Sequence, residues 1–506
     1  MALAIALVIT LGAVLGGGLL AARGVRMNVA EWSVGGRRFG TVLFWFLLVG
    51  ETFTTFALLG ASQGVFSGGA PGFYVLGTVV LFAAVGYWIT PRIWEAGKRH
   101  NLLTMGDYFT LRFASPWLGR IMALFGIVAL LLYTRVQLTG LGLILGSLFG
   151  FDVSPTIYMI SGAMLVAVFV LVGGIRSAAF VAVVKDVLLV IALLVVALGG
   201  AQAAGVGSVV EVFAGVAAKY PAAATLPGIG GSTSTNLWWW MSFLALTPAT
   251  FAMPHQFQVA FSAKDVPTIR RNQIIQPLYS LFYVAIIYIA YAAMLVLPRL
   301  SDQDANQSLL IFVHQHFPPA VIGLLAGAGI LVATVPTAVL IVAATGLFAR
   351  NVLGGAVRHW GESMLVVRLG VVVFTVLAVL LSISRSEQLV TIMTSMYSAI
   401  GQLAPAVVLS LTWRRVTAAA MTAGIVAGGL IVAVPVLGHL ALAPFPLGTV
   451  VGIPALVINL FVVLAVVPFS KPPAAEAVRV GMPDAAPSRT TADLDMSVRA
   501  PVIPPG

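Results

Sequence analysis

The chain has 506 residues, of which 60% are hydrophobic and 8% charged, with a mean hydropathy of +1.05. A soluble globular domain carries about 25% charged residues, so this composition excludes one. The absence of cysteine excludes disulfides, thiolate metal sites and cysteine nucleophiles. The net charge of +11 needs no nucleic acid, because Lys and Arg collect in loops on one side of a membrane.

Apolar runs lie near 2–22, 42–64, 72–91, 120–149, 155–173, 178–200, 236–256, 276–297, 319–347, 364–384, 389–412, 416–437 and 447–469. They predict an all-α polytopic membrane protein of about 13 transmembrane helices. The first run follows Met1 with no basic n-region and no good cleavage site, so it reads as a retained helix. Alternate loops differ in charge. One set carries Arg23, Arg26, Arg37 and Arg38, then Arg92, Lys98, Arg99 and Arg112, then Arg176 and Lys185. It continues with Lys264, Arg270, Arg271, Arg350, Arg358, Arg414 and Arg415. The other set has Lys219, Arg299 and Arg385 with the acidic Asp302 and Asp304. The positive-inside rule then puts the N-terminus outside and the C-terminus in the cytoplasm.

Within this frame, residues 1–41 form an N-terminal helix and cytoplasmic loop, and 42–200 a first set of five helices. An extracytoplasmic loop, 201–235, is rich in Gly, Ala, Ser and Thr. Residues 236–412 form a second set of five, 413–469 two C-terminal helices, and 470–506 a disordered cytoplasmic tail. The second span carries Gly50-Glu51-Thr52-Phe53-Thr54-Thr55; five spans later the seventh carries Pro248, Thr250 and Pro254. Breaks at matched positions of two halves point to an inverted 5+5 repeat with its binding site at the midplane. The plainer alternative is that prolines and glycines are frequent in membrane helices generally.

An ionisable residue at depth is a functional hypothesis by default. Glu51 lies in the second span and Arg135 in the fourth. One reading is a fixed ion pair clamping two helices. The other gives Arg135 an anionic substrate, since a guanidinium grips a carboxylate bidentately, and makes Glu51 a proton or cation site. Asp186, beside Lys185 at the start of the sixth span, favours a helix N-terminus. His255 follows Pro254 and reads as structural or gating, and the six histidines show no metal-ligand spacing. No nucleophile elbow, phosphate loop or zinc motif supports an enzyme.

Five ordered segments carry a family resemblance: "GGRRFGTVLFWFLLVGETFTTFALLGASQGVFSGG" (35–69), "TMGDYFTLRF" (104–113), "GGIRSAAFVAVVKD" (173–186), "FAMPHQFQVAFSAKD" (251–265) and "QLAPAVVLSLTWRR" (402–415). The chain resembles the sodium:solute symporter family, whose members have the leucine-transporter fold with an extra N-terminal helix. "VPTAVLIVAATGLFARNVL" (335–353) and "GETFTTFALLGASQG" are most similar to the monocarboxylate permease branch, whose bacterial members import lactate, pyruvate, acetate, propionate or alanine.

The resemblance implies a shared sodium site of backbone carbonyls from the broken first core helix, near Glu51 and Thr54, and hydroxyls from the eighth core helix. Those hydroxyls fall at Thr334 and Val335, with Thr337 one turn on. Valine offers no oxygen to a sodium cage. Asp186 matches an aspartate that the family uses in its fifth core helix, and Glu51 replaces a small residue of the proline and sugar transporters. Coupling to protons, or to sodium through altered ligands, follows from these departures. The pocket implied by the fold draws on Thr52, Thr55, Arg135, Gln137, Trp240, Thr250 and Tyr397. Trp238 and Trp239 fit an interfacial belt, and Gln402 and Pro405 a bend in the eleventh span.

The sequence thus supports a secondary active importer of small monocarboxylates in the bacterial inner membrane, working by alternating access with Na+ or H+ as coupling ion. It needs no cofactor and no nucleic acid; its partners are a small carboxylate and the bilayer, and its functional unit is a monomer. The alternative is a sodium-coupled importer of a neutral solute such as proline, alanine or a vitamin. A sensory half of a signalling kinase would require a large domain after the last span, where the tail has about 37 residues. A channel is disfavoured by the matched broken helices.

Overall fold

The computed structural model describes residues 2–25, 27–149, 154–226, 228–230, 233–301, 304–354, 358–383 and 388–482. Helix α1 (Ala2–Ala22) and the short α2 (Val29–Val34) lead into α3 (Thr41–Thr52). After a break the chain continues through a π-helical turn, Phe56–Gly60, into α4 (Ala61–Gly68). Then come α5 (Tyr74–Arg99), α6 (Met105–Phe113), α7 (Pro116–Phe149), α8 (Pro155–Ala203) and α9 (Val209–Lys219). A second broken pair, α10 (Thr233–Leu246) and α11 (Pro254–Ser262), precedes α12 (Val266–Ile275), α13 (Leu281–Val296) and α14 (Ser308–His316). The remainder is α15 (Pro319–Leu347), α16 (Met364–Ile383), α17 (Leu389–Gly401), α18 (Ala404–Thr412), α19 (Ala418–Ala433), α20 (Pro435–Leu442), α21 (Gly452–Val466) and α22 (Ala475–Gly481).

Among the described residues, eight helices are long and apolar enough to cross a membrane, or up to ten if each of two bent pairs counts as one span. Helix α8 holds two of the expected spans, because Gly174 at its middle leaves helical geometry (φ 54°, ψ −139°). Only glycine reaches that conformation without strain, and a Cβ there would come within 2.4 Å of the Trp32 carbonyl oxygen.

Helix α15 is the centre: its most apolar window is 100% buried. Helices in lipid approach closely where small residues line the contact. Gly323 and Gly327 of α15 accordingly face α1, where a Cβ would meet the Ala2 and Ala6 backbones at 2.5 and 3.2 Å. Gly329, about half a turn past Gly327, lies against Ile144 of α7.

The loops that carry the basic residues meet one another. The Arg37 guanidinium donates to the Leu102 carbonyl, Phe39 pairs with Ala263, and Arg176 lies 3.4 Å from Glu31. Arg350 binds Asp107 at 2.9 Å, and Arg112 donates to the carbonyls of Ser410 and Trp413. A different set of loops gathers at the other end, where Tyr291 donates to the Ala223 carbonyl and the Leu389 amide to Asn306. Arg26, Asp302 and Arg385 of the charge pattern lie outside the described residues, as does 483–506 of the expected tail. Residues 475–481, expected to be disordered, form α22 instead: Val478 and Val480 are buried, and Gly481 sits close against the Tyr108 hydroxyl and the Ser410 carbonyl.

Candidate functional site

Helix α3 stops at Thr52 because Phe53 is extended (φ −94°, ψ 92°), and the half-helices on either side meet at 51°. A break inside an apolar bundle strands backbone carbonyls that need partners. Here the partner is a lysine. The Lys185 Nζ of α8 donates to the carbonyls of Gly50 and Phe53, both at 3.0 Å, and lies 2.8 Å from Asp186 Oδ1. An ammonium has three donors and no acceptor, so these three oxygens occupy all of them. Neither side chain reaches solvent, with exposures of 0% for Lys185 and 2% for Asp186. The Tyr279 phenol faces the Asp186 carboxylate. Gly50 permits the approach: a Cβ there would lie 3.1 Å from Ala182 Cβ and 3.6 Å from both Lys185 Cε and Asp186 Oδ2.

On the other face of the same break lies a cavity of about 60 Å³. Glu51, Thr52 and Thr54 line it from the first broken helix, and Thr247, Thr250, Met253, His255 and Gln256 from the second. Tyr133, Tyr283, Tyr397 and two methionines, Met393 and Met396, add to the wall, with Phe56, Tyr74, Thr78, Val79 and Phe82. The Glu51 carboxylate faces His255 Nε2 at 2.9 Å, both side chains 1% exposed. Tyr133 lies close to Glu51 and Thr54. Thr52 Oγ1 donates to the Leu48 carbonyl and accepts from Gln276 Nε2 at 2.9 Å.

The second break is made by prolines and closed by its own hydroxyls. Thr247 Oγ1 donates to the Phe243 carbonyl and Thr250 Oγ1 to the Thr247 carbonyl, each at 2.8 Å. Met253 is extended before Pro254 opens α11, as the residue before a proline is pushed to be.

The structure therefore gathers Glu51, Thr52, Thr54, Thr250 and Tyr397 around one cavity. Four other candidates do not line it. Thr55 is buried behind the wall, where its amide and hydroxyl both donate to Gln137 Oε1. Trp240 is half-buried against the core. Arg135 is two residues from the cavity-lining Tyr133, and two residues turn a helix by about 200°, so it faces the opposite way. Leu131 and Leu138 at helical spacing from it pack on Met159, Ala163 and Ala378. The carboxylate partner of Glu51 is thus His255, where the sequence had offered Arg135. Asp186 is not at a helix start: it is well inside α8, paired with Lys185. Gln402 is buried, donating to the Ser398 and Gly452 carbonyls and accepting from Asn459.

Sequence reasoning missed Lys185, Tyr133, Tyr283 and Gln256. A lysine directly preceding a candidate site aspartate was the available signal for the first.

The two carbonyls that converge are those of Gly50 and Phe53, one residue earlier than expected from Glu51 and Thr54. Thr334 and Thr337 are buried in α15 and donate to the Ile330 and Ala333 carbonyls, and Val335 adds no oxygen. Sodium needs several free oxygens, and the two carbonyls and the carboxylate here are bound to an ammonium. The residues do not fit a sodium ion at this place. Among the described residues no group of three or more His, Asp or Glu could hold a metal.

A profile of the Sodium:solute symporter family matches residues 32–428. An uncharacterized symporter of Bacillus subtilis (strain 168) is 33% identical over 472 residues, covering 89% of this chain and 93% of that protein. A monocarboxylate transport permease of Rhizobium johnstonii is 27% identical over 327 residues, 64% of each chain. A sodium/proline symporter of Staphylococcus aureus (strain JH9) is 22% identical over 428 residues, 80% of each. In three dimensions the chain is similar to a Na+-coupled sialic acid symporter in a substrate-bound outward-open state, with TM-score 0.73, 13% identity, and coverage of 93% and 99%. It is also similar to Mhp1, a nucleobase-cation-symport-1 family transporter in a closed conformation, with TM-score 0.58, 14% identity, and coverage of 90% and 99%. The fold is that of the leucine-transporter-like carriers, and the chain is a multi-pass membrane transporter that belongs to the sodium:solute symporter family.

Proposed function

We propose that this transporter imports small organic monocarboxylates, of the pyruvate, lactate and acetate class, by cation-coupled alternating access. The observation that carries this is the cavity itself. It is small, and hydroxyls, a histidine and the Glu51 carboxylate that faces that histidine line it. Two half-helices start at its wall, one after Thr54 and the other at Pro254. Helix N-termini favour anions, and discontinuous helices in carriers aim them at anionic groups of the substrate. The His255 ring and the Tyr397 phenol would donate to the carboxylate, Thr52 and Thr250, whose hydroxyl protons go to main-chain carbonyls, would line it, and Met393 and Met396 would cover a short apolar tail. The name of the Rhizobium johnstonii relative supports the same class.

One half of the bundle then rocks against the other around this fixed site. The charged loops support a cytoplasmic C-terminus, an outer N-terminus and a place in the bacterial inner membrane. A single chain encloses the cavity, which supports a monomeric functional unit.

The test is uptake of labelled pyruvate, lactate and acetate into proteoliposomes, with sodium and proton gradients imposed separately. Saturable uptake of at least one acid, blocked by the others and not by proline, is the expected result. Uptake of proline or alanine that ignores the acids would select the second reading, a neutral-solute importer. That reading is favoured by one feature: Glu51 and His255 pair with each other, which leaves the cavity without a net charge when both are ionised.

A further inference from the structure

We infer that the Lys185 ammonium is a tethered cation standing where this fold would otherwise take sodium, so that no sodium ion binds between the broken helix α3 and α8. The inference rests on reading the chain as a cation-coupled carrier, and it names a cation that the carrier does not use at this place. Three observations bear on it. The Gly50 and Phe53 carbonyls are three residues apart across the unwound end of α3, and both turn to one point. That point holds a positive charge already, whose third donor goes to Asp186. The family resemblance puts Val335 of α15 at one of the two hydroxyl positions of a sodium cage, and valine has no side-chain oxygen to give.

A plain structural lysine would look for solvent or a lone carboxylate. Lys and Arg in membrane helices commonly extend their heads to the interface. Lys185 does neither, being 0% exposed with two of its three donors on main-chain oxygens of another helix. Main-chain carbonyls freed by an unwound helix are what coordinate alkali cations in carriers of this architecture. A bound sodium and the ammonium would share the same oxygens and repel at contact distance. The charged and titratable groups around the ammonium are few. Asp186 is its neighbour on α8, Glu51 with its partner His255 is on the far side of α3, and Tyr279 closes the third side.

The test reads sodium binding by thermal melting of the purified full-length protein in detergent, with sodium chloride replacing choline chloride at equal ionic strength. The native protein is expected to melt at the same temperature in both salts. Lys185→Thr frees the two carbonyls and the carboxylate and adds a hydroxyl, so its melting temperature should rise by several degrees in sodium. Saturable stabilisation of the native protein by sodium would overturn the inference. So would a folded Lys185→Thr that gains no sodium response. If that variant does not fold, Lys185→Ser takes its place in the same assay. Should neither fold, equilibrium binding of radiolabelled sodium to the native protein decides: no saturable binding upholds the inference, and saturable binding overturns it. Melting needs no substrate, so failure of the monocarboxylate reading leaves this result standing, and the reverse also holds.

Discussion

The two broken helices solve one physical problem in opposite ways. At the second break, between α10 and α11, Thr247 and Thr250 return their hydroxyls to carbonyls of their own segment, and prolines remove donors that would need partners. That break is closed from within. At the first, between α3 and α4, the freed carbonyls of Gly50 and Phe53 are met by Lys185 from another helix. The first break can therefore change state when something outside its own segment changes. The second serves as a fixed wall for the cavity that both share.

The severest way to break this comparison is Lys185→Met. It leaves Asp186 buried without its counter-charge and two main-chain carbonyls without donors. Removing one partner of a buried ion pair costs about 3–5 kcal/mol. The expected outcome is a large fall in melting temperature or loss of the folded peak in size-exclusion chromatography. Lys185→Met combined with Asp186→Asn should recover a good part of it, since no charge then stays unpaired. A Lys185→Met protein as stable as the native one would show that the first break is also closed from within.

Next in size is the Glu51–His255 pair, which links the two breaks across the cavity. His255→Gln keeps a donor but removes the imidazole that faces Glu51, so the half-saturating concentration of a carboxylate substrate should rise about tenfold, or about 1.4 kcal/mol. Glu51→Gln should abolish any pH dependence of uptake if the carboxylate carries the coupling proton. Uptake measured across a pH series in proteoliposomes checks both. A Glu51→Gln protein with the native pH profile would leave Glu51 as a positioning residue for His255.

How much of this was legible in the sequence follows from what periodicity and depth can and cannot report. Apolar helices long enough to span (eight to ten among the described residues, where about 13 were expected), the meeting of the basic loops and the breaks near Gly50 and Pro254 all depend on local sequence, and they stand in the structure. Arg135 shows the limit: its depth could be read, but not its face, which is fixed by the packing of α7 on α8 and α16. Lys185 shows another. It follows Arg176 closely enough to look like the start of a helix. Yet it is eleven residues past Gly174, about 16 Å at 1.5 Å per residue, which is half of a hydrocarbon core about 30 Å thick. The partnership of Glu51 with His255 joins residues from separate halves of the chain, and no local pattern encodes it.

A subtler change sharpens the comparison. Gly50→Ala places a methyl group 3.1 Å from Ala182 Cβ, where neither backbone can yield far. Overpacking of this kind costs about 1–3 kcal/mol, and it pushes α3 away from Lys185. Melting temperature should fall less than for Lys185→Met. The discriminating readout is a sodium response: a protein that gains one has had its carbonyls parted from the ammonium.

The smallest effect is expected where the break closes itself. Thr247→Val removes one hydroxyl whose only recorded bond, to the Phe243 carbonyl, lies within its own segment. A carbonyl has a second lone pair and keeps its other acceptor role, so the loss is that of a single neutral hydrogen bond, about 0.5–1.5 kcal/mol. Uptake at saturating substrate should stay close to native, because prolines 248 and 254 hold the break regardless. Melting and uptake measured together decide the matter. A Thr247→Val protein that melts as early as Lys185→Met would mean the second break leans on its hydroxyls as heavily as the first leans on its lysine, and the division between a responsive break and a fixed wall would fall.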